Sequence, residues 1–298
     1  MPSRVTQSML NTQFMRNLNN NLNRMEKLQD QMSSGRRINK PSDDPVGISF
    51  SMRYRSELET NDQYQRNVDS AISWLSYSDE VLNQAGNVMQ RARELAVQGA
   101  TGTNPQEALN TIAMEIDQLS EQMLGIANSK FNGKYVFNGQ LTDKQPYDPA
   151  TPGSSIPDTG AINFEIGVGV KIPVNVSARN AFGQPGSPNN IFVALKELSD
   201  NLKNGNIAGV SNSVGKLDER MDAFLAVRAD IGAKTNRIEL AEDRLKDINI
   251  NLSSLKSKTE DADMAAVIMN LKMDENVYQA SLSAGSRLIQ PSLIDFIR

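Results

Sequence analysis

A chain of 298 residues is long enough to bury two or three separate cores. It contains no His and no Cys, which excludes His-containing triads, thiol nucleophiles and the usual Zn, Cu and Fe–S ligand sets, so the expectation is a non-enzymatic protein with no catalytic, metal or cofactor-binding residue. A formal net charge of −4 argues against a nucleic-acid surface, and the absence of any run of about 18 apolar residues or of a basic-then-apolar leader predicts neither membrane insertion nor a Sec-type signal.

Near the N-terminus Phe14, Leu18, Leu22, Met25, Leu28 and Met32 recur at spacings of three or four, one stripe of an amphipathic helix. Asn17, Asn19, Asn20, Asn21 and Asn23 lie between them and compete with the helix for backbone hydrogen bonds. Such a helix is marginal alone and depends on packing its stripe on a partner. Ser33-Ser34-Gly35 ends the stripe. Pro41-Ser42-Asp43-Asp44-Pro45 starts another helix, with Asp44 at the N-cap and Pro45 at the first helical position. A further helix is expected over 62–98 through Val68, Ile72, Leu75, Met89 and Leu95, closed by Gly99 to Gly102. Asn104-Pro105-Gln106-Glu107 then offers a cap, an N1 proline and a glutamate for a helix through Leu109, Ile112, Ile116 and Leu124, with helical periodicity running to about 137.

From there to about 190 the chain is rich in Gly and Pro. Every even position from Ile162 to Val176 is apolar, a period-two strand pattern, while Gly167, Gly169 and Pro173 on the other face predict a bend and an edge. Helical periodicity then returns. Ile231, Ile238, Leu245, Leu252 and Thr259 repeat every seven residues, and Ala241, Ile248, Leu255 and Ala262 follow three residues later, with Lys234 the exception. Seven-residue repetition sustained this long predicts coiled-coil packing, in a helix from about 190 to 258 broken once near Gly205 to Gly209, with a rod of about 60 to 75 Å. A last amphipathic stretch, Met264, Ile268, Leu271, Val277 or Tyr278, and Leu282, follows the acidic run Glu260-Asp261-Asp263, which suits a helix N-terminus.

Gly167-Val168-Gly169 lacks the third glycine and the following helix of a nucleotide loop, so a β-bend is the better reading. Asp43 and Asp44 with Glu57 and Glu59 read as caps and a solvated face rather than a metal site, and Arg91, Arg93 and Glu94 as helix-surface pairing rather than a phosphate patch. Periodicity alone leaves the two terminal stripes open between an ordinary antiparallel bundle and exposed assembly surfaces.

The segment Ser33-Ser34-Gly35-Arg36-Arg37-Ile38-Asn39-Lys40-Pro41-Ser42-Asp43-Asp44-Pro45 resembles the N-terminal signature of the flagellin family, and its Lys-Pro-Ser-Asp-Asp-Pro ending is similar to that of the family's hook–filament junction subunits. Gln90 to Gln98, Phe131 to Gly139, Ile231-Gly232-Ala233 with Asn236-Arg237, and Glu260 to Asp263 extend the likeness over almost everything except residues 140–190. Gly35, Ile38, Asn39, Pro41, Asp43, Asp44 and Pro45 carry the signature. The resemblance implies a mainly α fold: a long antiparallel helical rod with coiled-coil termini and a small inserted β-rich domain. Its expected parts are a terminal coiled-coil assembly domain (1–33 with 262–298), a helical rod (34–138 with 190–261) and an outer insert (139–189). It implies a structural subunit of the bacterial flagellum, outside the cell, exported through the flagellar type III channel without a cleaved signal. Implied partners are copies of itself, the first hook-associated protein, flagellin, and a cytosolic export chaperone. That chaperone is expected to cover Met264, Ile268, Leu271, Leu282, Leu288 and Phe296. A filament flagellin and another type III-secreted coiled-coil adaptor are the alternatives.

Overall fold

The computed structural model describes residues 7–288, with side chains described for 9–286. Its elements are α1 (Gln7–Ser34), α2 (Pro45–Gly99), α3 (Gln106–Ala127), β1 (Lys130–Phe131), β2 (Lys134–Tyr135), a 3₁₀ turn at Pro152–Ser154, β3 (Asn163–Gly167), β4 (Val170–Pro173), α4 (Ala178–Phe182), α5 (Ile191–Lys203), α6 (Ile207–Glu260) and α7 (Met264–Leu288). They fall into two compact units. One holds the chain up to Thr60 and from Ile248 onward; the other is Asn61–Asp247.

In the terminal unit α1 and α7 run antiparallel. Phe14 lies on Gly285, Asn21 Nδ2 donates to the carbonyl of Asp274 at 3.2 Å, and the Ala262 N–H donates to the carbonyl of Gly35 at 3.0 Å. The asparagines do not prevent α1: Asn17, Asn19, Asn20 and Asn23 point away from the seam to the exposed side, and Asn17 Oδ1 accepts from Gln13 Nε2 one turn earlier at 3.2 Å. The expected pair of helices over 45–98 is a single helix, α2, since residues 46–62 hold no proline and only one glycine, Gly47, in the first turn. Asn104 is also corrected: its amide donates to the carbonyl of Gln98 at 2.6 Å, so it closes the end of α2, and Pro105 precedes α3 with no side-chain cap.

The second unit is built on a seven-residue register. On α2, Asn61, Val68, Leu75, Leu82, Met89 and Ala96 are buried at intervals of seven; on α6, Val210, Leu217, Phe224, Ile231, Ile238 and Leu245 are buried at the same interval. The repeat thus starts three heptads before Ile231. A second α2 row of small residues, Ala71, Ser78, Ala85 and Ala92, is fully buried and allows close helix approach. Asn61 Nδ2 donates to the carbonyl of Leu245 at 3.0 Å, Arg228 pairs with Asp79 at 3.0 Å and Arg93 with Asp218, which fixes the helices antiparallel. Each fully buried Leu or Ile along such a row stabilises the unit by roughly 1.5–3 kcal/mol. Lys234, the exception in the repeat, pairs with Asp230 at 2.8 Å. The predicted break lies at 204–206, where Gly205 separates α5 from α6.

Between α3 and α5 the chain is mostly turns, with two antiparallel hairpins. Asn132 and Gly133, both with positive φ, make the two-residue turn between β1 and β2, a short-range hairpin signal inside the stretch expected to be helical to 137. The even-position alternation from 162 to 176 spans a turn as well as strands: Phe164 pairs with Ile172, Ile166 and Ile172 are buried, and Val168 sits on the turn at 87% exposure beside Gly169. Phe137, Tyr147, Phe182, Phe192 and Phe224 pack ring to ring, centroids 4.9 to 6.5 Å apart, and root this region on α5 and α6.

Candidate assembly site

The family-signature residues form a joint between the two chain ends. Gly35 ends α1 at φ +69°, a conformation that side-chain-bearing residues rarely adopt. The strand-like segment after it is stitched to the link between α6 and α7: the Arg37 N–H donates to the carbonyl of Glu260 at 2.6 Å, and the Ala262 N–H to that of Gly35. The two interruptions, one before α2 and one before α7, therefore sit side by side although more than 220 positions separate them. Ile38 is buried beneath the joint, against Gly47.

Both helix starts at the joint are capped. Asp43 Oδ2 accepts the N–H groups of Asn39 and Lys40 at 3.1 and 3.0 Å, and Lys27 pairs with its other oxygen at 3.2 Å. Hydrogen bonding from the Lys40 and Asn39 backbone and from Lys27 holds its carboxyl below the ordinary range against a smaller opposing effect of burial. Asp44 Oδ1 accepts from Gly47 N–H at 2.9 Å, and Pro45 opens α2. Asp263 Oδ1 accepts from Ala265 and Ala266 at 3.0 and 3.2 Å and caps α7. The acidic run is thereby divided, for Glu260 is the last residue of α6 and serves another purpose.

Glu260 is 1% exposed. Arg36 Nε lies 3.1 Å from Oε1, Arg55 donates Nε and Nη2 to Oε2 at 3.1 and 2.6 Å, and the Ser51 hydroxyl donates to the same oxygen. Burial pushes this carboxyl up, and the Ser51 and Arg55 hydrogen bonds with the Arg55 and Arg36 charges more than offset it, leaving it below the ordinary range. No sequence pattern isolated Glu260 as the hub; its family match was the only pointer.

The N-terminal stripe divides between two faces. Phe14, Leu18, Met25 and Leu28 are half-buried with the buried Asn21, whereas Leu22 and Met32 are exposed, Leu22 at 40%. On α7, Val267, Leu271 and Gly285 are buried, whereas Met264, Ile268, Val277 and Leu282 are exposed; the stripe read from the sequence mixed the two faces. Leu288 ends α7 with its side chain outside the described residues, as is the whole of Phe296. On α6, Ile231, Ile238 and Leu245 are buried in the second unit; in the terminal unit Ile248 and Leu252 are half-buried and Leu255 is exposed. With Met9, Met15, Met269 and Met273, the terminal unit carries exposed apolar side chains on both of its terminal helices.

Residues 5–142 match the bacterial flagellin N-terminal helical region, and residues 214–297 the bacterial flagellin C-terminal helical region. The chain belongs to the flagellin family. Among its relatives, flagellar hook-associated protein 3 of Salmonella typhimurium is 27% identical over 300 residues, covering 93% of this chain and 94% of that one. The flagellin of Bacillus subtilis is 28% identical over 278 residues, covering 89% of each. A solved structure of hook-associated protein 3 from Legionella pneumophila aligns with a TM-score of 0.62 at 16% identity, over 70% of this chain and 98% of that one, which shows a shared fold. Both matched regions of this flagellin-family chain meet at the joint: the first contributes Gly35 to Pro45, the second Glu260 to Asp263. Among the described residues no helix is long and apolar enough to cross a membrane.

Proposed function

We propose that this flagellin-family chain is a structural, non-enzymatic subunit of the bacterial flagellum that joins hook to filament, assembling as a layer of copies between the first hook-associated protein and flagellin. The observation that carries the reading is the terminal unit, whose seam uses one face of α1 and α7 and leaves a second apolar face uncovered on each. A cost on this scale is maintained where a partner covers it. The likeness to hook-associated protein 3 along nearly the whole of that protein supports the junction over the filament. In this reading 1–33 with 262–298 form the assembly domain, 34–138 with 190–261 the rod and 139–189 the outer insert. Leu22, Met32 and Leu255 face neighbouring copies, while Phe14, Leu18, Met25 and Leu28 hold the subunit's own seam and Ile248 and Leu252 pack within the same unit from α6. Export proceeds through the flagellar type III channel, with a chaperone on the exposed α7 face of Met264, Ile268 and Leu282 and on Leu288 and Phe296 beyond it.

The likeness to Bacillus subtilis flagellin keeps a filament subunit as the second reading. Electron microscopy of a deletion strain, with immunoblotting of the medium, separates the two. Bare hooks with flagellin shed into the medium are expected of a junction subunit. Bare hooks with no major flagellin in the medium would mean that this chain is the filament, and normal filaments would refute both.

A further inference from the structure

Among the described residues four buried side-chain polar atoms lack a hydrogen-bond partner: Trp74 Nε1, the Tyr147 hydroxyl, Arg179 Nε and Arg220 Nε. Buried unsatisfied donors are few in native proteins, and each is destabilising. Three of these four lie together in the second unit, since the charges of both Arg220 and Arg179 act on the Tyr147 hydroxyl. The two arginines also line one open groove of about 730 Å³, along with Thr159, Asn180, Asp230 and Lys234.

Charge in that groove is unbalanced. Lys234 is neutralised by Asp230 at 2.8 Å, but burial lowers the readiness of Arg220 to hold its proton, and among the described residues the Tyr147 phenol is the only titratable group acting on it. Burial likewise pushes the Tyr147 hydroxyl up, so it remains a protonated donor at neutral pH. An arginine that lays its stem on apolar surface commonly keeps its head in water. Here two half-buried arginines meet at one place, from different helices, with a phenol behind them and, among the described residues, no carboxylate paired to Arg220.

The site is anchored by a hydrogen bond and by packed rings. Arg220 Nη2 donates to the carbonyl of Asn180 at 3.2 Å, which orients its guanidinium. Beneath it Tyr147 packs on Phe182 at 5.7 Å and on Phe192 at 4.9 Å, and Phe182 packs on Phe224, so α4 and α6 carry the two arginines on one aromatic base. Paired planar guanidiniums suit carboxylate and phosphate oxygens, which they bind through two parallel hydrogen bonds. The groove volume falls within the range of small-molecule sites, and the Thr159 hydroxyl and Asn180 amide can meet hydroxyl groups of a bound body.

We infer that this groove binds a small organic oxyanion, a carboxylate or phosphate ester on a hydroxyl-rich body of monosaccharide size, through Arg179 and Arg220. The full chain is titrated by calorimetry with N-acetylneuraminate, glucose 6-phosphate and, as the uncharged control, glucose. Saturable binding of one of the anions and none of glucose is expected; the anion that binds identifies carboxylate or phosphate as the source. Arg220→Gln weakens that binding by about tenfold or more, the loss of one charge-assisted hydrogen-bond pair. Asp230→Asn, at the exposed rim, removes the one acidic group among the lining residues and frees Lys234, so it tightens binding severalfold, a change that damaged folding would not produce. No saturable binding of either anion, equal binding of glucose, or an affinity unchanged in both variants would overturn the inference.

Discussion

Glu260 shows at the residue scale how a buried charge is retained. Its carboxylate accepts from Ser51 and Arg55 and faces Arg36, so each oxygen is occupied and the cost of burial is offset. Because the folded-state pKa is depressed, the stabilisation is present at neutral pH and is lost as pH falls through and below the ordinary carboxylate range. Glu260→Gln keeps the volume and removes the charge. We expect it to destabilise the terminal unit by about 1–3 kcal/mol at pH 7, discounted because Arg36 and Arg55 can turn to solvent, and to flatten the acid limb of stability. Chemical denaturation at pH 7 and at pH 3.5 checks this. An acid limb as steep as in the parent chain would show that Glu260 is not the group responsible.

At the element scale the α1–α7 seam is short of apolar contacts and rich in register devices. Asn21, 4% exposed, lies on the buried face; its Nδ2 donates to the Asp274 carbonyl across the seam, and Arg24 adds a 3.2 Å pair to the Asp274 carboxylate. A slip by one heptad strands that amide, so the polar layer selects the pairing at a cost in stability. Asn21→Leu should therefore leave the seam as stable or up to about 1 kcal/mol more so, while cross-linking across the seam reveals shifted registers. Gly285 acts by shape. A Cβ there would meet the Phe14 ring, so Gly285→Val is expected to expel that ring and abolish protease protection near residue 14, with the heptad rows of the second unit unaffected.

On the scale of the whole molecule the two units differ in what they bury. The second has continuous rows of buried Leu, Ile, Val and Met from Val68 to Leu245; in the terminal unit of the described residues only Ile38, Val267 and Leu271 are buried large hydrophobics. Local stability follows buried apolar contact, so in dilute monomer the amides of 9–34 and 264–286 should exchange at least about 100-fold faster than those of 68–96 and 217–245. Uniform protection across both units, measured by hydrogen exchange, would contradict this. Position also decides the effect of charge. Leu22→Asp lies on the uncovered face and should leave the thermal melt nearly unchanged while blocking incorporation into flagella; Leu271→Asp, in the seam, should lose both.

The amino-acid order by itself determined what depends on near neighbours: the coiled-coil repeat from Ile231, the stop at Gly35, the Asp44–Pro45 start, the break near Gly205 and the bend at Gly169, since helical period, capping and turn geometry are properties of a few consecutive residues. It did not separate Leu22 from Leu18 or Ile268 from Leu271, because a stripe three or four residues apart is wider than one contact face and only the partner helix selects its half. Tertiary structure alone decided that Gly35 meets Ala262, that Asn21 is the buried asparagine among five, that Glu260 is a hub rather than a cap, and that Arg179 and Arg220 share a groove. Each of these depends on residues far apart in the chain, and proximity created by folding leaves no periodic trace in the sequence.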